Sequence, residues 1–265
     1  MSKLAGMFEA CRAERRAALI GYLPAGYPTV PGSKELLGAM VASGCDLVEV
    51  GVPFSDPVMD GPTIQAAAEE ALRAGFRLSE LFGVVDSIAS AGGRAVVMTY
   101  WNPVHRYGVD AFARDLASAG GLGVITPDLV PDEAEQWLEA SERHGLDRIF
   151  LVAPSSTEER IASTAKASSG FLYATSVMGV TGARDVVSNA APELVRRVRE
   201  HTDLPVGVGL GVRSGAQAAE LAGFADGVIV GSAFVTRAAE GGERAVRELT
   251  EELAEGVRNP VATIG

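Results

Sequence analysis

Eight short runs rich in β-branched residues recur along the chain, and a segment with helical periodicity follows each of them. The runs lie at residues 18–23, 47–51, 95–100, 123–126, 148–152, 171–175, 205–208 and 227–230. Spread over 265 residues, they give one strand and one helix about every 33 residues, which is the repeat of an eight-stranded α/β barrel. We therefore predict an α/β fold built from eight such units.

A doubly wound open sheet is the main alternative, because it also alternates strands with helices. Such a sheet normally carries a G-x-G-x-x-G turn after its first strand, but the turn here, residues 23–28, has a single glycine between two prolines. No change in composition marks a second domain. We predict one (β/α)8 TIM-barrel domain over residues 1–265, with an N-terminal capping helix over residues 4–15.

The charge balance of the chain excludes several classes of partner. Lys and Arg number 23 against 34 Asp and Glu, which gives a formal net charge of -11. Because this charge repels phosphate backbones and anionic lipid, a role at nucleic acid or at a membrane surface is disfavoured. Two cysteines are too few for a disulfide framework or a four-thiolate metal site. Residues 2–16 lack the apolar core of a signal peptide, so we expect a soluble cytoplasmic protein.

Glu49 is the first candidate catalytic residue, because it lies within the second predicted strand. Alternation along that strand places Val48 and Val50 toward the helices and Glu49 toward the barrel interior. A carboxylate there loses hydration, so its pKa should rise and it can act as an acid near neutral pH. The alternative is a structural glutamate satisfied by a buried arginine or a backbone donor.

The loop after that strand, residues 52–65, carries three prolines and holds Asp56 and Asp60 above the barrel mouth. Turn formation explains these aspartates equally well, since Asp60 lies close to a helix start. With Glu49 beneath it, however, Asp60 can share acid and base work on one substrate. Tyr173 lies on the same strand face as Phe171 and reaches the site if that face is the interior; a core aromatic is the alternative.

Glycines follow the last three predicted strands. They lie at positions 179 and 182, at 209 and 211, and at 231. Glycine lets backbone N–H groups approach an anion closely, and barrels of this type commonly bind phosphate at their last two loops. A single glycine at such a turn is ordinary, but three glycine-containing loops side by side predict a small phosphate ester as ligand.

The positions of the lysines and histidines limit the types of reaction that the chain can catalyse. The three lysines, at positions 3, 34 and 166, lie away from the predicted strand ends, which argues against a Schiff-base aldolase. The three histidines, at positions 105, 144 and 201, fall in a loop or in helix tails and do not cluster, which argues against a catalytic zinc ion. Carboxylate chemistry on a phosphate ester, without a metal, remains.

Residues 47–65 closely resemble the signature of the tryptophan synthase alpha subunit family. The resemblance continues through residues 98–103, 126–129 and 179–182 and through the two phosphate loops, and it covers essentially the whole chain. It implies an eight-fold α/β barrel that cleaves indole-3-glycerol phosphate to indole and glyceraldehyde 3-phosphate.

The resemblance also implies roles for individual residues. Glu49 would protonate indole C3 and take the glycerol hydroxyl proton, while Asp60 would accept a hydrogen bond from the indole N–H or take its proton. Tyr173 matches a tyrosine near that glutamate, and Thr181 matches a threonine on a mobile loop that closes over substrate. The matches to the phosphate-binding positions are Gly182, Gly211, Gly231 and Ser232.

The family works with a beta subunit that carries pyridoxal phosphate, so the resemblance implies an alpha2-beta2 heterotetramer and no cofactor in this chain. Segments that face the partner are matched by Asp56, Pro57, Asn102 and Pro103, for which turn formation is the alternative explanation. Three residues, Tyr22, Met59 and Leu210, depart from the enteric pattern without removing a catalytic group.

Three other functions stay open on the sequence alone. A stand-alone lyase of the same family would release free indole without a partner. A non-enzymatic relative would only activate the beta subunit, although the presence of Glu49 and Asp60 argues against it. Another phosphate-binding barrel enzyme, such as a pentose-phosphate epimerase or indole-glycerol-phosphate synthase, is more distant, and the synthase would need a lysine at a strand end.

Overall fold

Parallel strands and surrounding helices make up the computed structural model, which describes residues 2–175 and 190–261. The strands are β1 (Ala18–Pro24), β2 (Leu47–Gly51), β3 (Ala95–Met98), β4 (Gly123–Ile125), β5 (Asp147–Ile149), β6 (Leu151–Val152), β7 (Leu172–Thr175), β8 (Val206–Gly209) and β9 (Gly227–Val230). The α-helices are α1 (Lys3–Ala13), α2 (Val30–Ser43), α3 (Pro62–Arg73), α4 (Leu78–Ser90), α5 (Trp101–Tyr107), α6 (Val109–Ser118), α7 (Glu135–His144), α8 (Glu158–Ala167), α9 (Ala190–Arg199), α10 (Gly215–Ala222) and α11 (Ser232–Arg258).

The strands form one sheet that closes on itself. Its order is β5-β4-β3-β2-β1-β9-β8-β7-β6, and every neighbouring pair is parallel. Only Phe150 separates β5 from β6, so the two are halves of one barrel strand: β5 pairs with β4 and β6 pairs with β7. The carbonyl of Phe150 accepts a hydrogen bond from Tyr173 N at 3.1 Å, which joins the two edges. The eight-stranded barrel is therefore confirmed and the open sheet is excluded.

Helix α1 covers the amino-terminal end of the barrel, as the sequence predicted. Its buried side chains Leu4, Met7 and Phe8 pack against interior residues from the strands. The Phe8 and Phe171 rings, for example, lie 5.5 Å apart between centroids. This plug leaves the carboxyl-terminal end of the barrel for a functional site.

Side-chain alternation along β2 has the predicted orientation. Val48 and Val50 belong to the large apolar layer between strands and helices, whereas Leu47 belongs to the interior cluster beneath the barrel. Because side chains alternate along a strand, Glu49 shares the interior face with Leu47 and Gly51. The strand thus carries a carboxyl group into the barrel just below its carboxyl end.

The elements differ from the sequence prediction in two main places. Helix α5 lies where a loop was expected, so His105 is on a short helix. Helix α11 begins before the predicted residue 240 and bends at Gly242, whose φ of 59° is not helical. Among the described helices, none combines the length and apolar character that a membrane span requires.

Candidate active site

Glu49 is a buried carboxyl group at the carboxyl end of the barrel. Its residue is 1 % exposed, and neither carboxyl oxygen has a hydrogen-bond partner among the described residues. Burial raises the pKa of Glu49 to about 8, because the charged form loses its hydration. The structural alternative, a glutamate paired with a buried arginine, is absent from the described part of the chain. The carboxyl group is therefore protonated near neutral pH and can donate that proton.

Asp60 lies in the loop that connects β2 to α3 and is less buried than Glu49. Burial raises its pKa, while a hydrogen bond from the Tyr100 hydroxyl lowers it. The side-chain amide of Gln65 donates to the backbone carbonyl of Asp60 at 2.7 Å. Asp60 is thus fixed through its backbone and retains more anionic character than Glu49, so the two carboxyl groups differ in the way that acid and base roles require.

Two tyrosines bring the carboxyl groups into one site. The pKa values of Tyr22 and Tyr173 are both raised, first by burial and then by the charges of Glu49 and Asp60. Each phenol therefore lies within electrostatic reach of both carboxyl groups. Tyr173 also packs against the interior cluster, so its strand face is the interior one, which is the condition for its phenol to reach the site.

Each of these tyrosines packs its phenol against a glycine on the neighbouring strand. In the strand register Tyr22 is opposite Glu49, and its hydroxyl lies over Gly51, two residues further along. Tyr173 is opposite Gly207, and its hydroxyl lies over Gly209 in the same way. Because neither glycine has a Cβ, each phenol can lie directly against the neighbouring strand at the carboxyl end of the barrel.

Two of the three predicted glycine-containing loops, those after β8 and β9, lie in the described part of the chain at the carboxyl end of the barrel. Gly211 has a φ of 68°, in the left-handed region that favours glycine, and it follows β8. Gly231 is the N-cap of α11, which begins at Ser232 immediately after β9. A Cβ added at Gly231 would lie 3.6 Å from the Tyr22 ring, so this helix start borders the carboxyl pocket. Backbone N–H groups at such a position suit an anion.

The third predicted glycine loop, with Gly179, Thr181 and Gly182, lies outside the described residues. The four predicted partner-facing residues lie at the carboxyl end of the barrel: Asp56 and Asn102 are exposed, and Pro57 and Pro103 are partly exposed. Their neighbour Val58 is exposed as well. Among the described residues, no group of three His, Cys, Asp or Glu side chains is arranged to hold a metal ion.

Two site residues were assigned no role from the sequence. Tyr100 reaches Asp60 only because the loop after β2 folds over the end of β3, and Gln65 reaches the Asp60 carbonyl from the first turn of α3. The position of Tyr100 as the last residue of the third predicted strand was the available signal, since barrel enzymes place functional side chains at strand ends.

The barrel is closed and carries buried carboxyl groups at the carboxyl end of its strands. These features are typical of a (β/α)8-barrel enzyme. Comparison with known proteins identifies the family. The family model for the tryptophan synthase alpha chain matches residues 8–261. The chain is 69 % identical over 261 residues to the tryptophan synthase alpha chain of Mycobacterium avium, covering 98 % of this chain and 96 % of the relative. It is 68 % identical over 258 residues to that of Nocardia farcinica, covering 97 % of each.

Solved structures agree with this assignment. A chain of Mycobacterium tuberculosis tryptophan synthase superposes with a TM-score of 0.94 at 68 % identity, covering 97 % of this chain and 98 % of that one. The alpha subunit from Legionella pneumophila has a TM-score of 0.87 at 31 % identity, covering 98 % and 99 %. The chain belongs to the tryptophan synthase alpha chain family. It is a carbon–carbon lyase that cleaves indole-3-glycerol phosphate, and pyridoxal phosphate in this system is on the beta subunit.

Proposed function

We propose that Glu49 is the general acid of the cleavage. The observation that carries this role is a buried carboxyl group with no hydrogen-bond partner for either oxygen in the described structure. Protonation of indole C3 by Glu49 turns the ring into a leaving group. Loss of the proton from the glycerol hydroxyl then breaks the adjacent carbon–carbon bond, whose electron pair returns to the ring. The products are indole and glyceraldehyde 3-phosphate, and the carboxylate left on Glu49 takes the hydroxyl proton, which restores the acid.

Asp60 stabilises the positive charge that appears on the ring. Once C3 is protonated, that charge is centred on the ring nitrogen, and a carboxylate accepting from the N–H lowers the energy of this state. The Tyr100 hydrogen bond favours the ionised form of Asp60, which suits this role. Tyr173 contacts the same reacting region from β7, where its phenol lies close to both carboxyl groups.

The substrate phosphate binds at the loops after β8 and β9. Backbone donors at Gly211, Gly231 and Ser232 supply the contacts, and the positive end of α11 adds to them. We also propose Gly182 as a fourth phosphate contact and Thr181 as a residue of a loop that closes over the substrate. The ring of Tyr22, which borders both Gly231 and Gly51, forms the wall between the phosphate and the indole ring.

The experiment that tests the general acid is the Glu49→Gln variant. Because an amide cannot donate the required proton, indole release should disappear while substrate still binds by calorimetry. Asp147→Asn is the matched control, since Asp147 is a buried carboxyl group at the amino end of β5, away from the site. Turnover by Glu49→Gln above about a tenth of the wild-type rate would contradict the assignment.

The chain acts together with a beta subunit as part of tryptophan synthase. In the alpha2-beta2 assembly that we propose, Asp56, Pro57, Asn102 and Pro103 face the partner around the exposed Val58. We also propose that residues 1–265 act as one barrel domain and that the protein is cytoplasmic. Its two cysteines, Cys11 and Cys45, are buried free thiols, which suits a reducing compartment.

A further inference from the structure

Asp128 ties the end of β4 to the end of β3. It lies three residues after β4, and its two carboxylate oxygens are 2.8 and 3.1 Å from the backbone nitrogen of Trp101. Trp101 is the first residue of α5 and follows Tyr100 directly. An N–H group in the first turn of a helix has no partner within that helix, so the carboxylate supplies the missing acceptor.

Tyr100 is held on both sides. The buried Thr99 donates its hydroxyl proton to the carbonyl of Tyr100 at 2.9 Å, while Asp128 accepts from the amide that follows. The ring of Tyr100 lies 5.2 Å from the ring of Phe54 between centroids, and Phe54 belongs to the same loop as Asp60. These contacts fix both the backbone direction and the ring of Tyr100.

The hydroxyl of Tyr100 transmits this placement to the catalytic loop. It accepts a hydrogen bond from the backbone nitrogen of Met59 at 3.0 Å, and Met59 directly precedes Asp60. The same hydroxyl also acts on the neighbouring carboxyl group, since it lowers the pKa of Asp60 against the effect of burial. A shift of Tyr100 therefore moves both the backbone and the carboxylate at Asp60.

We propose that Asp128 is a positioning residue for the cleavage: through Trp101 N it fixes Tyr100, and Tyr100 fixes Asp60. This inference rests on the role of Asp60 under the proposed function. A purely local role in starting α5 would affect folding stability and leave the catalytic step unchanged. A positioning role instead lowers kcat more than it changes KM, since it misplaces a group that acts in the transition state.

The experiment compares indole release from indole-3-glycerol phosphate by the full-length chain, alone and with a cognate beta subunit. Asp128→Ala should lower kcat about tenfold with KM within about twofold, in both conditions. Asp128→Asn keeps an acceptor for Trp101 N and should stay within about threefold of wild type. The matched control is Asp132→Ala, which removes an exposed carboxylate four residues further along that bonds Arg160, and it should retain wild-type kinetics.

A double-mutant cycle with Tyr100→Phe tests the path. If Asp128 acts through Tyr100, adding Asp128→Ala to Tyr100→Phe should lower kcat by less than about twofold. A further loss of about tenfold, or a loss seen only with the beta subunit present, would overturn the inference. The Asp60→Asn variant separates the role of Asp60 from the positioning role of Asp128. If Asp60→Asn keeps the wild-type kcat, the role of Asp60 itself is refuted. If Asp60→Asn is inactive while Asp128→Ala is fully active, only the role of Asp128 is refuted.

Discussion

The hydroxyl of Tyr22 lies so close to Gly51 that a methyl group on that glycine would be 2.4 Å from the phenol oxygen. Tyr22 comes from β1 and Gly51 ends the neighbouring strand β2, so the contact lies between Glu49 and the start of the loop that carries Asp60. The glycine is needed for close approach, because no side chain fits between the phenol and the strand. The position of Tyr22 in the pocket thus depends on a residue that has no functional group.

Replacing Gly51 by alanine should therefore damage the site without removing a catalytic group. The added methyl must displace the Tyr22 ring, which costs about 1–3 kcal/mol of folding stability. Because the displaced ring no longer lines the site as before, we also expect kcat/KM to fall at least about tenfold. Steady-state indole release measures this effect. Gly38→Ala is the control, since its methyl would meet nothing within 4 Å on α2. Wild-type kcat/KM in a folded Gly51→Ala variant would refute the packing argument.

Activity should fall as pH rises through about 8. Glu49 has its pKa raised to about 8, and the proposed acid is active only in its protonated form. Below that pH Glu49 is protonated, so kcat/KM does not depend on this group. Above it the carboxylate forms, and kcat/KM declines about tenfold per pH unit. A kcat/KM profile of the isolated chain tests this directly. If kcat/KM instead increased from pH 7 to 9, Glu49 would have to act first as a base.

The acidic side of the same profile should depend on Tyr100. Burial raises the pKa of Asp60, and the Tyr100 hydroxyl partly reverses that shift by favouring the ionised carboxylate. Removing the hydroxyl in Tyr100→Phe should raise the pKa of Asp60 further, so the acidic limb moves to higher pH. Tyr107→Phe is the control, because its hydroxyl bonds Asp115 on α6 instead. An acidic limb unchanged in Tyr100→Phe would show that the hydrogen bond does not govern Asp60.

Gly211 and Gly145 allow a matched test of the phosphate loop. Both have a φ of 68°, so alanine is strained to the same degree at either position, at a cost of about 1 kcal/mol. Gly145 follows α7, away from the pocket, whereas Gly211 lies in the loop after β8. Gly211→Ala should raise KM several-fold, and Gly145→Ala should lower only the melting temperature. Equal KM values in the two variants would place the phosphate elsewhere.

The sequence allowed most of the barrel to be predicted, because strand and helix periods are local signals. β2 and β9 have the predicted bounds, and Glu49 has the predicted interior orientation. Helix α5 was not predicted, since its residues include Pro103 and few strong helix formers and its first amide depends on Asp128, 27 residues away. The interruption of a barrel strand at Phe150 likewise has no local signal.

The site was predictable to a smaller extent than the fold. Glu49 and Asp60 could be proposed as a pair because one lies on an interior strand face and the other on the loop above it. The contact between Tyr100 and Met59 depends on how that loop folds back over β3, and the contact between Tyr22 and Gly51 depends on strand register. Both are tertiary relations, which residue periodicity does not encode.

The most direct test of the account is indole release from indole-3-glycerol phosphate by the purified chain, measured with and without a cognate beta subunit. We predict slow release by the chain alone, a large increase when the partner is added, and no release in either condition by Glu49→Gln. Fast release that the partner does not change would contradict the assembly that we propose. No release by the folded wild-type chain in either condition would contradict the carboxylate mechanism itself.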